Sequence, residues 1–209
     1  RWTCATTTWP HSASGTSTGR IAAVILEPIQ GTNGNVVPPP GFFKGVRDIA
    51  RDAGALFISD EMITGFGRTG KMFGCDHEGV TPDIMTIGKG FGGGFPVSGV
   101  VTTDETASAK PWSNPSGSSS SYGGNPLASA ACDATLQAIL KDRLVENSAK
   151  VGDLMLKNLE KIKAKSPMIG SVRGRGLMIG VDLVNPKTGE PLDKAICRDL
   201  FEEGLRRGC

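Results

Sequence analysis

The sequence predicts an α/β fold: a mostly parallel mixed sheet with flanking helices, followed by the start of a smaller α+β domain at the C-terminal end. Three observations predict it. Short continuous apolar runs rich in β-branched residues alternate with a segment of helical period. Two of the later runs are joined by a connection too short to hold a crossover helix, which makes that pair antiparallel. The last forty or so residues read strand, turn, strand, helix. On this pattern residues 21–150 form the large domain and residues 151–209 begin the small one.

Residues 1–20 are rich in Ser and Thr and carry no strand or helix period, so they are expected to be a polar tail. From Ile21 an apolar run ends at Pro28, as a strand buried on both faces would. A Gly/Asn/Pro loop follows. Phe43, Val46, Ile49 and Ala50 then recur at helical spacing, with Gly54 placed to stop the helix. The run 55–60 is a second buried strand, and strand, helix, strand in this rhythm predicts a right-handed parallel unit. Residues 83–88 predict a third strand, and 97–103 a fourth, antiparallel to it. A helical region is expected over about 126–165, broken near Asp142 and Arg143, with Leu154, Leu156, Leu159 and Ile162 as its apolar stripe. The last helix is expected over 192–207. Its position at the end of the sequence suggests a second domain cut short.

Composition excludes several classes. The 23 basic and 21 acidic residues leave a net charge of +2, which gives no reason to invoke nucleic acid or an anionic membrane surface. No apolar run approaches transmembrane length, and residues 1–20 lack a signal-peptide core. The five cysteines are scattered, with no CxxC pair, and the two histidines are His11 and His77. This arithmetic points to isolated thiols in a reducing compartment, not to a disulfide framework, and no metal is expected; Cys75 and His77 lack further ligands. The 29 glycines are about twice the usual share, and many cluster where backbone must turn tightly or approach a ligand.

Two residues stand out chemically. Lys89 ends the third strand and is flanked by Gly88, Gly90, Gly92, Gly93 and Gly94. Schiff-base chemistry, phosphate binding and a plain solvated lysine all fit that setting, although Gly90 stands where a P-loop requires Ser or Thr. Asp60 ends the second strand. A carboxylate at the carboxyl end of a buried parallel strand lies where open α/β sheets bind ligands, and a turn-capping Asp is the plainer alternative.

Five motifs in fixed order decide further. AAVILEPIQG (22–31), FISDEMITGFGRTG (57–70), PDIMTIGKG (82–90), SYGGNPLA (121–128) and VRGRGLM (172–178) resemble the class III aminotransferases, the omega- and 4-aminobutyrate-type enzymes of pyridoxal-phosphate (PLP) fold type I. The resemblance runs over about residues 21–208, and the separation of Asp60 from Lys89 matches the family's. It implies that Lys89 forms the Schiff base with PLP and shuttles the proton. It implies that Asp60 pairs with the pyridine nitrogen and keeps it protonated. Met62 stands where the family packs Val or Ile against the ring. Ile63 replaces a common Gln near the ring's phenolic oxygen, which removes a hydrogen bond. Ser121 replaces the Thr whose hydroxyl reaches the cofactor phosphate of the neighbouring subunit. Glu27 resembles the glutamate that pairs with a substrate-binding Arg, with Gln30 nearby. Arg68 and Arg173 are expected in structural salt bridges or carbonyl contacts, and Tyr122 and Phe95 in packing.

The implied activity moves an amino group from an amine or amino-acid donor to a keto-acid acceptor, in a homodimer with shared active sites, in the cytoplasm or a mitochondrial matrix. Aminomutases and a decarboxylating transaminase belong to the same family and stand as alternatives. Family subunits are roughly twice as long. The upstream Gly/Ser phosphate turn, the aromatic that stacks on the ring and the downstream carboxylate-binding Arg are not found in these 209 residues. An incomplete, inactive piece is therefore the alternative expectation, and a nucleotide-binding module using the glycine loop is another.

Overall fold

The computed structural model describes residues 21–117 and 119–208; the tail expected at residues 1–20 lies outside them. Strand β1 (Ala23–Leu26), helix α1 (Phe42–Asp52) and strand β2 (Leu56–Asp60) form the expected unit, with β1 parallel to β2 and Ile25 opposite Ile58. Strand β3 (Ile84–Gly88) adds in parallel to β2, and β4 (Ser98–Thr102) returns antiparallel, giving the order β1-β2-β3-β4. Helix α1 stops where the sequence indicates. Gly54 takes φ 72°, and the Ala53 and Gly54 amides turn back onto the carbonyls of Ile49 and Arg51.

The core lies between α1 and one face of this sheet. Phe43, Ala50, Phe57, Cys75 and Val80 are buried there, joined by Val24, Leu26 and Met85. Phe43 meets Phe57 edge-to-face at 5.0 Å. Burial of the strands on both faces, expected from their continuous apolar text, is not what the structure shows. Strand alternation places Ile25, Leu56 and Val100 on the other face, where they are 53, 39 and 50 % exposed. Asp60 belongs to that open face, in register with Thr86.

After the short helix α2 (Asp104–Ala107) come α3 (Pro126–Lys141) and α4 (Leu144–Lys163). Asn125 caps α3 by accepting the Ala128 amide at 2.9 Å, with Pro126 in the first turn. The break falls at Asp142 and Arg143, as expected, with Arg143 at φ 52°. The expected apolar stripe of α4 holds in part. Leu156 and Leu159 are half-buried, but Leu154 and Ile162 are 58 and 51 % exposed, and the fully buried residues are Ser148 and Gly152. Helix α4 docks through small residues because it must come close to a hairpin of β5 (Ile169–Arg175) and β6 (Met178–Leu183). A Cβ on Gly152 would overlap the backbone of Gly176 in the hairpin turn. Helix α5 (Lys194–Arg206), capped by Asp193, buries no residue fully and leaves Phe201 66 % exposed. Among the described residues no helix is long and apolar enough to cross a membrane.

Candidate active site

Strands β2 and β3 run parallel, so both deliver their carboxyl ends to one edge of the sheet. Asp60 is the last residue of β2 and Lys89 is the first beyond β3. Asp60 pairs with Thr86, so Lys89 lies about 10 Å further along the strand direction and about 4.8 Å to the side, by strand geometry. The Asp60 carboxylate is aimed by two bonds to one oxygen. Its Oδ1 accepts the Met62 amide and the Thr86 hydroxyl, each at 3.1 Å. Among the described residues Oδ2 has no donor, which leaves it available to a donor from outside the chain.

Lys89 opens a 3₁₀ turn (Lys89–Gly92) and takes φ 47°. A lysine in the left-handed region, where glycine is favoured, marks a site worth a functional reading. The side chain is exposed and borders two cavities of about 280 and 620 Å³. Met62 and Ile63 line the first with Phe66, Arg68 and Leu177; Met62 also lines the second, with Phe95 and Val97. Met62 lies over Gly88, its sulfur 2.9 Å from where a Cβ would stand, so a larger residue at 88 would displace the methionine. Phe91, two residues past Lys89, stacks on Phe66 at 4.8 Å, and Phe66 meets Phe73 at 5.5 Å. These rings tie the lysine turn to the loop that follows Asp60.

The structure does not bring the other expected residues equally close. Glu27 is half-buried and its Oε2 accepts the Gly31 amide at 2.9 Å; no arginine pairs with it among the described residues. Gln30 exchanges both backbone bonds with Val36 and accepts the Asn33 amide on its side chain. Ser121 is exposed on the turn before α3 and lines neither cavity. Tyr122 is 84 % exposed and makes no ring contact among the described residues, contrary to the packing expected of it, whereas Phe95 is half-buried at the cavity wall.

Arg173 makes both kinds of contact expected of it, although from within β5 and not from a turn. It grips Asp182 across the hairpin, donating to Oδ1 at 2.8 Å, and donates twice to the Gly34 carbonyl. The Arg173 guanidinium and the Ser171 hydroxyl hold the Asp182 carboxyl below its ordinary value. Arg68 behaves differently. Its carbonyl accepts Ser148 Oγ and the Leu177 amide, while its guanidinium forms no ion pair among the described residues; the residue lines the first cavity.

Sequence reading passed over Glu61, which is fully buried and accepts four hydrogen bonds. The available signal was its place between two expected cofactor residues. His77 turns Nε2 towards the carbonyl and hydroxyl of Thr69. Burial, and then the charge of Arg175, depress its pKa below the ordinary 6.5. The folded value lies below the unfolded one, so stability tied to His77 is intact above about pH 6.5 and is lost as pH falls through the depressed value. Denaturant midpoints compared at about pH 7.5 and about pH 5 should therefore fall less for His77→Gln than for the wild type.

A family model described as "Aminotransferase class-III" matches residues 10–209, reaching back into the polar segment. A solved Bacillus anthracis aminotransferase is 36 % identical with TM-score 0.83, over 90 % of this chain and 43 % of that one. An (S)-enantioselective omega-transaminase from Thermomicrobium roseum is 39 % identical with TM-score 0.83, over 93 % and 44 %. An ornithine aminotransferase from Plasmodium yoelii is 39 % identical with TM-score 0.71, over 77 % and 42 %. The chain thus spans less than half the length of these solved relatives. The motifs around Asp60 and Lys89 in sequence, and the mixed sheet that carries both residues, agree with those matches: the chain belongs to the class III aminotransferases.

Proposed function

We propose that the protein is a transaminase that binds PLP between Asp60 and Lys89 and moves an amino group from an amine or omega-amino acid to a keto acid. One observation carries this reading: a carboxylate oxygen with no donor among the described residues and an exposed lysine stand at the carboxyl ends of two adjacent parallel strands. PLP, when bound, supplies an aldehyde carbon and a ring that accepts electrons from the reacting carbon. Asp60 Oδ2 would face the ring nitrogen and keep its proton in place. Lys89 Nζ would hold the cofactor through its aldehyde carbon and, as an amine, would serve as the base and acid at the carbon that bears the substrate nitrogen. Met62 and Ile63 exclude water from one side. Glu27 and the loop it closes onto Gly31 face the substrate.

The same reading, through the family resemblance, assigns Ser121 to the cofactor phosphate of a second copy; its turn is exposed, and it lines neither of the two cavities beside Lys89. A homodimer with shared sites follows. Residues 21–150 and 151–209 would then be the large and small domains. Cys75 and Cys132 are buried free thiols, in keeping with a reducing compartment such as the cytoplasm.

The test is direct. PLP added to the purified protein should give a bound-cofactor absorbance, and borohydride reduction followed by peptide mapping should place the label on Lys89. A label on another lysine, with Lys89 free, overturns the assignment. Asp60→Asn should keep the label and lose about 10²-fold or more in turnover, the scale of losing one charge-stabilising contact at a reacting centre; unchanged turnover would remove Asp60 from the site.

The open sheet face favours a second reading, an inactive piece. Ile25, Leu56 and Val100, on three different strands, are all exposed on it, and an open apolar face is a surface of the kind that self-associates. The 209-residue chain alone should bind an apolar-surface dye and grow in light scattering with concentration. If it also shows no cofactor absorbance, this second reading replaces the first for the isolated chain.

A further inference from the structure

Glu61 sits between Asp60 and Met62, but strand alternation sends its side chain to the opposite, core side. It is 0 % exposed. Its two oxygens divide four donors evenly. Oε1 accepts Ser59 Oγ at 3.0 Å and the Cys75 amide at 2.8 Å; Oε2 accepts Thr64 Oγ1 at 2.5 Å and the Gly74 amide at 2.7 Å. Each oxygen thus meets one hydroxyl and one backbone amide, and the two amides can only donate. The bonds to Gly74 and Cys75 close residues 61–75 into a loop, and Met62, Ile63, Phe66 and Arg68 of that loop wall the Lys89 cavity.

The link to Asp60 runs through one peptide unit. The Glu61–Met62 peptide supplies the amide that Asp60 Oδ1 accepts. Glu61 itself donates its amide to the Thr86 carbonyl at 3.0 Å, and Thr86 gives the other bond to Oδ1. Rotating that peptide would withdraw the Met62 amide from Asp60 Oδ1 and free the carboxylate to turn. The rotation requires Glu61 to move, and Glu61 is fastened at four points.

We propose that Glu61 is a positioning residue for the cofactor site: its buried carboxylate locks the 61–75 loop and thereby fixes the direction of the Asp60 carboxylate and the seat of Met62. This inference rests on the transaminase reading and deepens it. The Glu61 carboxylate bonds Ser59, Thr64, Gly74 and Cys75 and neither Asp60 nor Lys89, so it acts on the site through the peptide it shares with Met62.

Glu61→Gln and Thr64→Val test it. The glutamine amide must face one of the two backbone amides, which cannot turn round to accept. Thr64→Val removes one donor and keeps the charge, so any change it causes reads geometry and not the lost field. Two measurements are made on each protein with its wild-type control. Hydrogen exchange, without cofactor, should show amides of residues 62–75 losing about 10-fold or more in protection in Glu61→Gln, with residues 42–60 unchanged, and less loss in Thr64→Val. Titration with PLP should show weaker binding, about 10-fold or more for Glu61→Gln. The pH midpoint of the bound-cofactor absorbance should shift in both variants.

A wild type that takes up no PLP overturns the transaminase reading and this inference together, while the exchange result still reports whether the anchor exists. A wild type that binds, with Thr64→Val matching it in pH midpoint and affinity, overturns this inference alone. If Glu61→Gln fails to fold, Thr64→Val decides by the same two readings.

Discussion

Lys89→Ala should abolish both borohydride labelling and the bound-cofactor absorbance, and leave the fold intact. The lysine is exposed and makes no hydrogen bond among the described residues, so its side chain contributes little to stability. Unfolding midpoints should agree within about 0.5 kcal/mol, the range for surface changes. The backbone φ of 47° is kept in this variant, and alanine dislikes it no less than lysine does. Turnover should fall by at least about 10²–10⁴-fold, the usual worth of a positioned proton-transfer group, and by more because the covalent hold on the cofactor is lost as well. A nucleotide-binding module built on the same glycines makes the opposite forecast. In that case the variant would lose affinity for a nucleoside phosphate, and the wild type would show no cofactor absorbance to lose.

Much of this site was legible in the residues because its parts have local signatures. Asp60 and Lys89 end apolar runs, and the strand–helix–strand rhythm makes the first pairing parallel, so both carboxyl ends fall on one edge. The antiparallel return of β4 followed from the short connection 89–97. Glycine at 54 and the pair at 142–143 marked helix ends by backbone chemistry alone. What was not legible depended on partners distant in sequence. Nothing in the text near Glu61 says that the amides of Gly74 and Cys75 will converge on it. The buried side of α4 was only partly read because the eye follows leucines, whereas that contact is set by how near two backbones must come. One-sided burial of β1 and β2 was missed for a related reason: a continuous apolar run states what a strand can bury, not what covers it.

The α4 contact yields the larger stability effect. Alanine in place of glycine inside a helix ordinarily stabilises by about 1 kcal/mol. At Gly152 the sign should reverse. The added Cβ would overlap the carbonyl oxygen, carbonyl carbon and Cα of Gly176. These are backbone atoms and cannot rotate aside as the end of a flexible side chain would. Gly176 itself has no freedom to retreat, because it takes φ 56° and its own Cα faces the backbone of Arg68, Thr69 and Gly70. Helix, hairpin turn and loop are therefore stacked three deep through glycine. Overpacking of this kind costs about 1–3 kcal/mol or more, so Gly152→Ala should lose about 1–2 kcal/mol net, read as a lower denaturant midpoint. Leu154→Ala, on the outward side of the same helix and 58 % exposed, should change it by no more than about 0.5 kcal/mol. The ordering matters more than either number. If Leu154→Ala proves the more damaging of the two, α4 meets its neighbours through its leucines after all, and the close glycine contact is not what seats the hairpin beside the 61–75 loop.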